Sequence, residues 1–266
     1  MFKTALLIAC AIVVWHMVYF YDFIQMLYLE MVPGSGTGQY NLFYWVLPID
    51  CISDAYTLFF NLFPLIACLP YAWSYTAERG TSYSNQLICR CGAYKYVFSK
   101  FLAVFLSGGI VIAIPLLVDL LGMAMFLPAS VPAVTFPMPG FYHGHFLSGI
   151  YYSHPWLFCL LFIGMDFLWA GTVASMSFVV ASLFKSKVLS VVLPTIVIFA
   201  CDILSVYPKG IYYRTTGKTL EFSILRLFHA NTLNPNPAWL QFSLLALILV
   251  ISASVAFTLA KENDRL

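Results

Sequence analysis

Apolar positions in this chain neither alternate with polar ones nor recur at the spacing of an amphipathic helix. They run on without a break, and polar residues collect between the runs. A continuous apolar run of about 20 residues is what a helix needs to cross a bilayer core. Only helices and closed barrels satisfy the backbone in hydrocarbon, and barrel strands alternate, so helices are predicted. The runs place six spans, at residues 4–29, 54–76, 101–126, 155–184, 188–207 and 238–260. The expected fold class is an all-α integral membrane protein. It forms a single transmembrane domain over residues 1–266 with no soluble domain.

Composition moves the picture the same way. The chain is 62% hydrophobic and 9% charged, with a mean hydropathy of +0.88. A soluble domain carries roughly 25% charged residues, so lipid is the solvent for most of this surface. Aromatic residues make up 18%, and Tyr and Trp favour membrane interfaces. Leu7-Ile8-Ala9-Cys10 resembles a lipoprotein cleavage site, but the apolar run continues past Cys10 to about Leu29, so an uncleaved first span is the reading adopted. The seven Cys read as small hydrophobes, and Cys89 and Cys91 lack the further ligands of a zinc site.

The net charge of +2 is less informative than where the charges fall. With the N-terminus cytoplasmic, Lys3, Arg79, Arg90, Lys95, Lys100, Lys185, Lys187, Lys261 and Arg265 lie inside, nine in all, and Lys209, Arg214, Lys218 and Arg226 outside. Cytoplasmic loops collect Lys and Arg, so both termini are expected inside. The outer segments, 30–53, 127–154 and 208–237, are rich in turn residues such as Pro33-Gly34-Ser35-Gly36-Thr37-Gly38 and Asn234-Pro235-Asn236-Pro237.

The sizeable inner segment is 77–100. Thr81 can cap a short helix, Tyr83, Leu87 and Ile88 share one face, and Gly92 can end it. Such a helix is either a docking surface for a cytoplasmic partner or a solvated loop that obeys the positive-inside rule.

Glu78-Arg79-Gly80-Thr81, followed by Arg90, Tyr94 and Lys100, resembles the loop between the second and third helices of type-2 ABC exporter permeases. The resemblance covers most of the chain. It takes in the six spans, His154-Pro155 before a fourth helix rich in small residues, the tight Lys185–Lys187 turn and Pro194 in the fifth helix. It does not extend to the interfacial helix that many members carry before the first span. The resemblance implies a short cytoplasmic coupling helix, with Glu78, Arg79, Gly80, Thr81, Leu87 and Arg90 contacting a separate ABC ATPase. It further implies a second permease copy or a homologous permease, and a bacterial plasma membrane location. ATP and Mg would belong to the partner subunit. In agreement, Gly217-Lys218-Thr219 lacks the earlier glycine of a phosphate loop, because Tyr212 stands there.

Asp22, Asp119, Asp166 and Asp202 fall in or near spans, with no Lys or Arg deep enough to pair with them. A charge in hydrocarbon costs at least about 2.5 kcal/mol. Asp166, Asp119 and Asp202 therefore mark either a translocation path or acids hydrogen-bonded between helices. Gly164, Gly171 and Ser175 lie on one stripe of the fourth helix and Gly108-Gly109 in the third, which suits close helix packing. Pro64, Pro70, Pro115 and Pro194 are placed inside spans, where they kink helices. No metal site is assigned, since His143, His145 and His154 stand without acidic neighbours. No protease motif is present, so the chain is expected to be no enzyme and to bind no nucleic acid. The reading is a permease subunit of an ABC exporter for a peptide, lipid or other amphipathic cargo. The alternative is an ion-coupled transporter or channel that uses Asp166.

Overall fold

The computed structural model describes residues 1–29, 41–50, 53–79, 83–132, 147–184, 186–216 and 238–263. Every regular element among them is a helix. In chain order these are α1 (Phe2–Leu29), α2 (Leu42–Trp45), α3 (Asp54–Cys68), α4 (Ala72–Arg79) and α5 (Tyr83–Cys91), then α6 (Ala93–Met123), α7 (Ser148–Ser153), α8 (Pro155–Leu183), α9 (Lys187–Thr216) and α10 (Ala238–Asn263). Four of them contain stretches long and apolar enough to cross a membrane: α1, α6, α8 and α9. The apolar stretches of α3 and of α10 are shorter. This is the makeup of an all-α membrane protein.

Local chemistry sets the boundaries. The Asn41 side chain accepts the Phe43 N–H to start α2, and Ser53 Oγ accepts the Tyr56 N–H at 3.1 Å to start α3. Pro155 opens α8, where its missing N–H costs nothing. Gly92 separates α5 from α6 with a φ of 80°, a left-handed backbone that any side chain would strain.

Several boundaries differ from those predicted. The second span was expected to run through 76, yet α3 ends at Cys68 and α4 begins after a turn at Leu69–Tyr71. Pro70 sits in that turn and not inside a helix, and its ring supplies no N–H to the end of the α3 ladder. The third span begins at Ala93 and not at 101, so Lys95 and Lys100 ride on α6. The fifth continues past 207 to Thr216, carrying Pro208 within it. Between the first and second spans, residues 41–50 are not an open loop. They are buried almost throughout, with Leu42, Phe43, Val46 and Leu47 wholly enclosed.

Helices α6 and α8 form the most extensive contact of the bundle. Glycines let them approach. A Cβ on Gly108 would meet the Ala174 side chain at 2.5 Å, and one on Gly171 would meet the Phe105 ring at 2.7 Å. Two apolar clusters result. The larger joins α1, α3, α6 and α8 around Phe59, Phe60, Phe158 and Trp169. The smaller lies towards α5, around Tyr75, Tyr96, Phe101 and Phe178.

Candidate functional site

Two polar constellations stand out at opposite ends of the bundle, with one isolated acid between them. At the first end, α4 and α5 lie beside the start of α6, where Tyr94 and Phe98 meet Phe257 near the end of α10. Glu78 on α4 is held from α6 on both carboxylate oxygens. Lys100 Nζ makes an ion pair with Oε1, and Tyr96 donates its hydroxyl to Oε2 at 2.7 Å. Lys100 also lies 5.4 Å above the Tyr71 ring, in the turn before α4. Turn, α4 and α6 are thereby tied at one half-buried point. On α5, Leu87 and Ile88 pack against the smaller cluster, while Arg90, Cys89 and Cys91 are exposed. The amphipathic helix expected in this segment therefore spans Tyr83–Cys91, with its apolar face turned inward. Of the residues that the resemblance assigned to the partner contact, Glu78 is engaged within its own chain and Arg90 faces out. Arg79 is the last residue of α4, and Gly80 and Thr81 lie outside the described residues.

At the other end, α1, α6 and the 41–50 segment bring together three ionisable side chains with no exposed side-chain area. His16 Nδ1 lies 2.7 Å from Asp119 Oδ1, and His16 Nε2 lies 3.5 Å from Asp50 Oδ2. The second oxygen of Asp119 accepts the Leu47 N–H at 2.7 Å. Asp50 Oδ2 accepts the Ser53 N–H at 3.3 Å. The Phe20 ring closes over the imidazole at 5.0 Å. Asp119 was expected in or near a span with no Lys or Arg to pair with it. It is instead fully buried against a histidine, because the 41–50 segment folds over it.

Asp166 sits on α8 at 1% exposure, and neither of its oxygens has a hydrogen-bond partner among the described residues. An unpartnered acid at that depth is costly in stability. Asp202 is half-buried on α9 and Asp22 is exposed on α1. The three aspartates of the expected path, Asp119, Asp166 and Asp202, are not brought into one site. In the stripe of small residues, Gly171 makes a close contact and Ser175 Oγ meets Ser252 Oγ of α10 at 3.1 Å, whereas Gly164 faces open space.

The residues missed by sequence reasoning are His16, Asp50, Tyr96 and Lys100. Signals existed for His16 and Asp50. A histidine in an apolar run marks a site by default, and an imidazole can pair with a buried acid as Lys or Arg can. Among the described residues no group of His, Cys, Asp and Glu could hold a metal ion; His143 and His145 lie outside them. Between α8, α9 and α10 a cavity of about 260 Å³ is lined by apolar side chains such as Met176, Pro194, Val197 and Ile251, with Ser252. Compared with known proteins, the chain matches no family model, no curated protein and no solved structure.

Proposed function

We propose that this chain is the membrane-spanning permease subunit of an ABC exporter, driven by a separate cytoplasmic ATPase. The observation that carries this reading is the α4–α5 unit. A short helix lies across one end of the bundle, turns its apolar face inward and leaves Arg90 outward. Through Glu78, Lys100 and Tyr96 its neighbour α4 is tied to α6, the longest helix. A push on α5 is thus passed to α6 through packed contacts and an ion pair, which is how a closing partner would move a bundle.

In this reading α3 and α10 complete six spans. The α5 end, with Arg90, Lys95 and Lys187, is cytoplasmic, and the membrane is a bacterial plasma membrane. Two such permeases, identical or homologous, enclose the path. Arg90 and the outer face of α5 meet the ATPase, and Glu78 transmits its motion. ATP and Mg act in the partner. The apolar cavity and the abundance of aromatic residues suit an amphipathic peptide or lipid cargo.

The test is affinity purification of the full chain from its host membrane, followed by mass spectrometry. An ABC ATPase is expected with the unaltered chain and is expected to be lost with Arg90→Glu. Recovery of the chain without any ATPase sinks the proposal. A second reading, an ion-coupled transporter, rests on Asp166, whose two oxygens are enclosed and without a hydrogen-bond partner among the described residues. Transport by the purified chain alone, abolished by Asp166→Asn, favours it over the first.

A further inference from the structure

The end of the bundle remote from α5 is closed by an irregular segment. Here α1 and α6 finish and α3 and α8 start, and residues 41–50 fill the space between them. Irregular backbone at this depth survives only where protein satisfies it. The Leu42 N–H goes to the Pro128 carbonyl at 3.1 Å, and the Asn41 side-chain amide to the Ser130 carbonyl at 2.7 Å. The Phe43 carbonyl accepts the Tyr151 hydroxyl at 3.1 Å. Burial pushes the Tyr151 phenol well above its ordinary range, so it stays a donor. A further tie is the Leu47 N–H to Asp119, and Asp119 is in turn set by His16.

The trio is an unusual fastening. An ionised carboxylate is acceptor-only, so the 2.7 Å contact puts a proton on His16 Nδ1. If that were the ring's only proton, the Nε2 lone pair would face an Asp50 oxygen at 3.5 Å, acceptor against acceptor. A second proton, on Nε2, turns that contact into an ionic attraction to Asp50, which at 3.5 Å leaves Nε2 without a hydrogen bond among the described residues. Without it, two carboxylates share a closed space with a neutral ring, and Asp50 is repelled from the ring. Asp119 from α6 and Asp50 from the segment are the charged groups that act on the ring. Helix α3, also packed on α1, directs Asp54 to the surface; its Tyr56 ring lies tilted against Phe60 at 4.9 Å, and its Cys68 donates to the Val173 carbonyl. Residues of α1 itself that titrate near this end, Tyr19, Tyr21 and Asp22, are exposed.

We propose that residues 41–50 are a gate over this end of the bundle, and that a proton bound between His16 and Asp50 keeps it shut. A buried ionic contact is weak evidence for stability as such, and histidine protonation is one of the charge changes that switch a packed element between two states. The gate is a property of this chain and stands whether or not an ATPase docks at the other end.

The test measures maleimide labelling of Val46→Cys, a position with no exposed area, in the full-length chain in detergent with its seven native cysteines replaced by alanine. Rates are divided by those of Met125→Cys, a position 82% exposed, so that the reactivity of the thiol itself cancels. Between about pH 6 and about pH 9 the ratio is expected to rise at least tenfold, the effect of a one-unit difference between closed and open states in how tightly the ring holds its proton. His16→Gln removes the titrating group, and its ratio is expected to be independent of pH. Asp50→Asn supplies a side-chain N–H to Nε2 without the extra proton, so its ratio is expected to stay low up to about pH 9. The conservative Asp50→Asn change covers the case in which His16→Gln does not fold. A ratio that does not respond to pH in the unaltered trio overturns the proposal, as does a rise that persists unchanged in Asp50→Asn.

Discussion

At the scale of single residues, what distinguishes the buried ionisable groups is whether they have partners. Asp119 has two, on separate elements, and its oxygens are fully used. Glu78 has two on one helix. Asp166 has none among the described residues. Replacing a buried, unsatisfied acid by an apolar side chain of similar size removes a desolvation cost and no hydrogen bond. Asp166→Leu is therefore expected to raise the thermal midpoint of the solubilised protein, by about 1–3 kcal/mol of stability. The same change at Asp119 strips the Leu47 N–H and the imidazole of their acceptor and is expected to lower it. A fall in stability for Asp166→Leu contradicts the absence of partners and points to a hydrogen bond that this packing does not show.

At the scale of elements, the α6–α8 contact organises the bundle, and small residues decide how close it is. The glycines of α8 are not equivalent. Gly171 faces the Phe105 ring at a distance that leaves no room for a methyl group, whereas Gly164 faces nothing within 4 Å. Gly171→Ala is expected to lose about 1–3 kcal/mol through overpacking. Gly164→Ala is expected to be neutral or to gain up to about 1 kcal/mol from reduced backbone freedom. Thermal unfolding of the two variants side by side checks this. Equal losses would mean that helix propensity or lipid contact, and not the Phe105 ring, governs the stripe.

At the scale of the whole molecule, the two ends of the bundle differ in kind. One carries a projecting amphipathic helix with exposed Arg90, Cys89 and Cys91; the other is sealed by a buried segment fastened by charge. In the proposed reading the α5 end faces the cytoplasm, as the placement of Lys and Arg predicts. The native thiols on α5 report on this directly. A membrane-impermeant maleimide is expected to label Cys89 and Cys91 in inside-out vesicles and to leave them unlabelled in intact cells. Labelling of these two thiols from outside would reverse the orientation and remove any cytoplasmic docking role from α5.

By itself the sequence determined what depends on composition and on neighbours along the chain. Apolar runs set which segments are helices in lipid, because every backbone group there must bond within its own segment. The short helix on 83–91 and its end at Gly92 were legible from the spacing of Leu87 and Ile88 and from one glycine. The break at Pro70 was not legible in the same way, since Pro64, Pro115 and Pro194 lie inside helices that continue past them. Only the tertiary structure decided which polar groups meet. His16 and Asp119 are 103 residues apart, and Leu47 and Asp119 are 72 apart. No local pattern links them, since their proximity arises from α1 and α6 lying side by side and a turn-rich segment folding inward between them. Burial of residues 41–50 had no signature for the same reason. In a membrane protein an apolar segment can face lipid or protein alike, and hydropathy does not tell the two apart; the geometry of the neighbouring helices does.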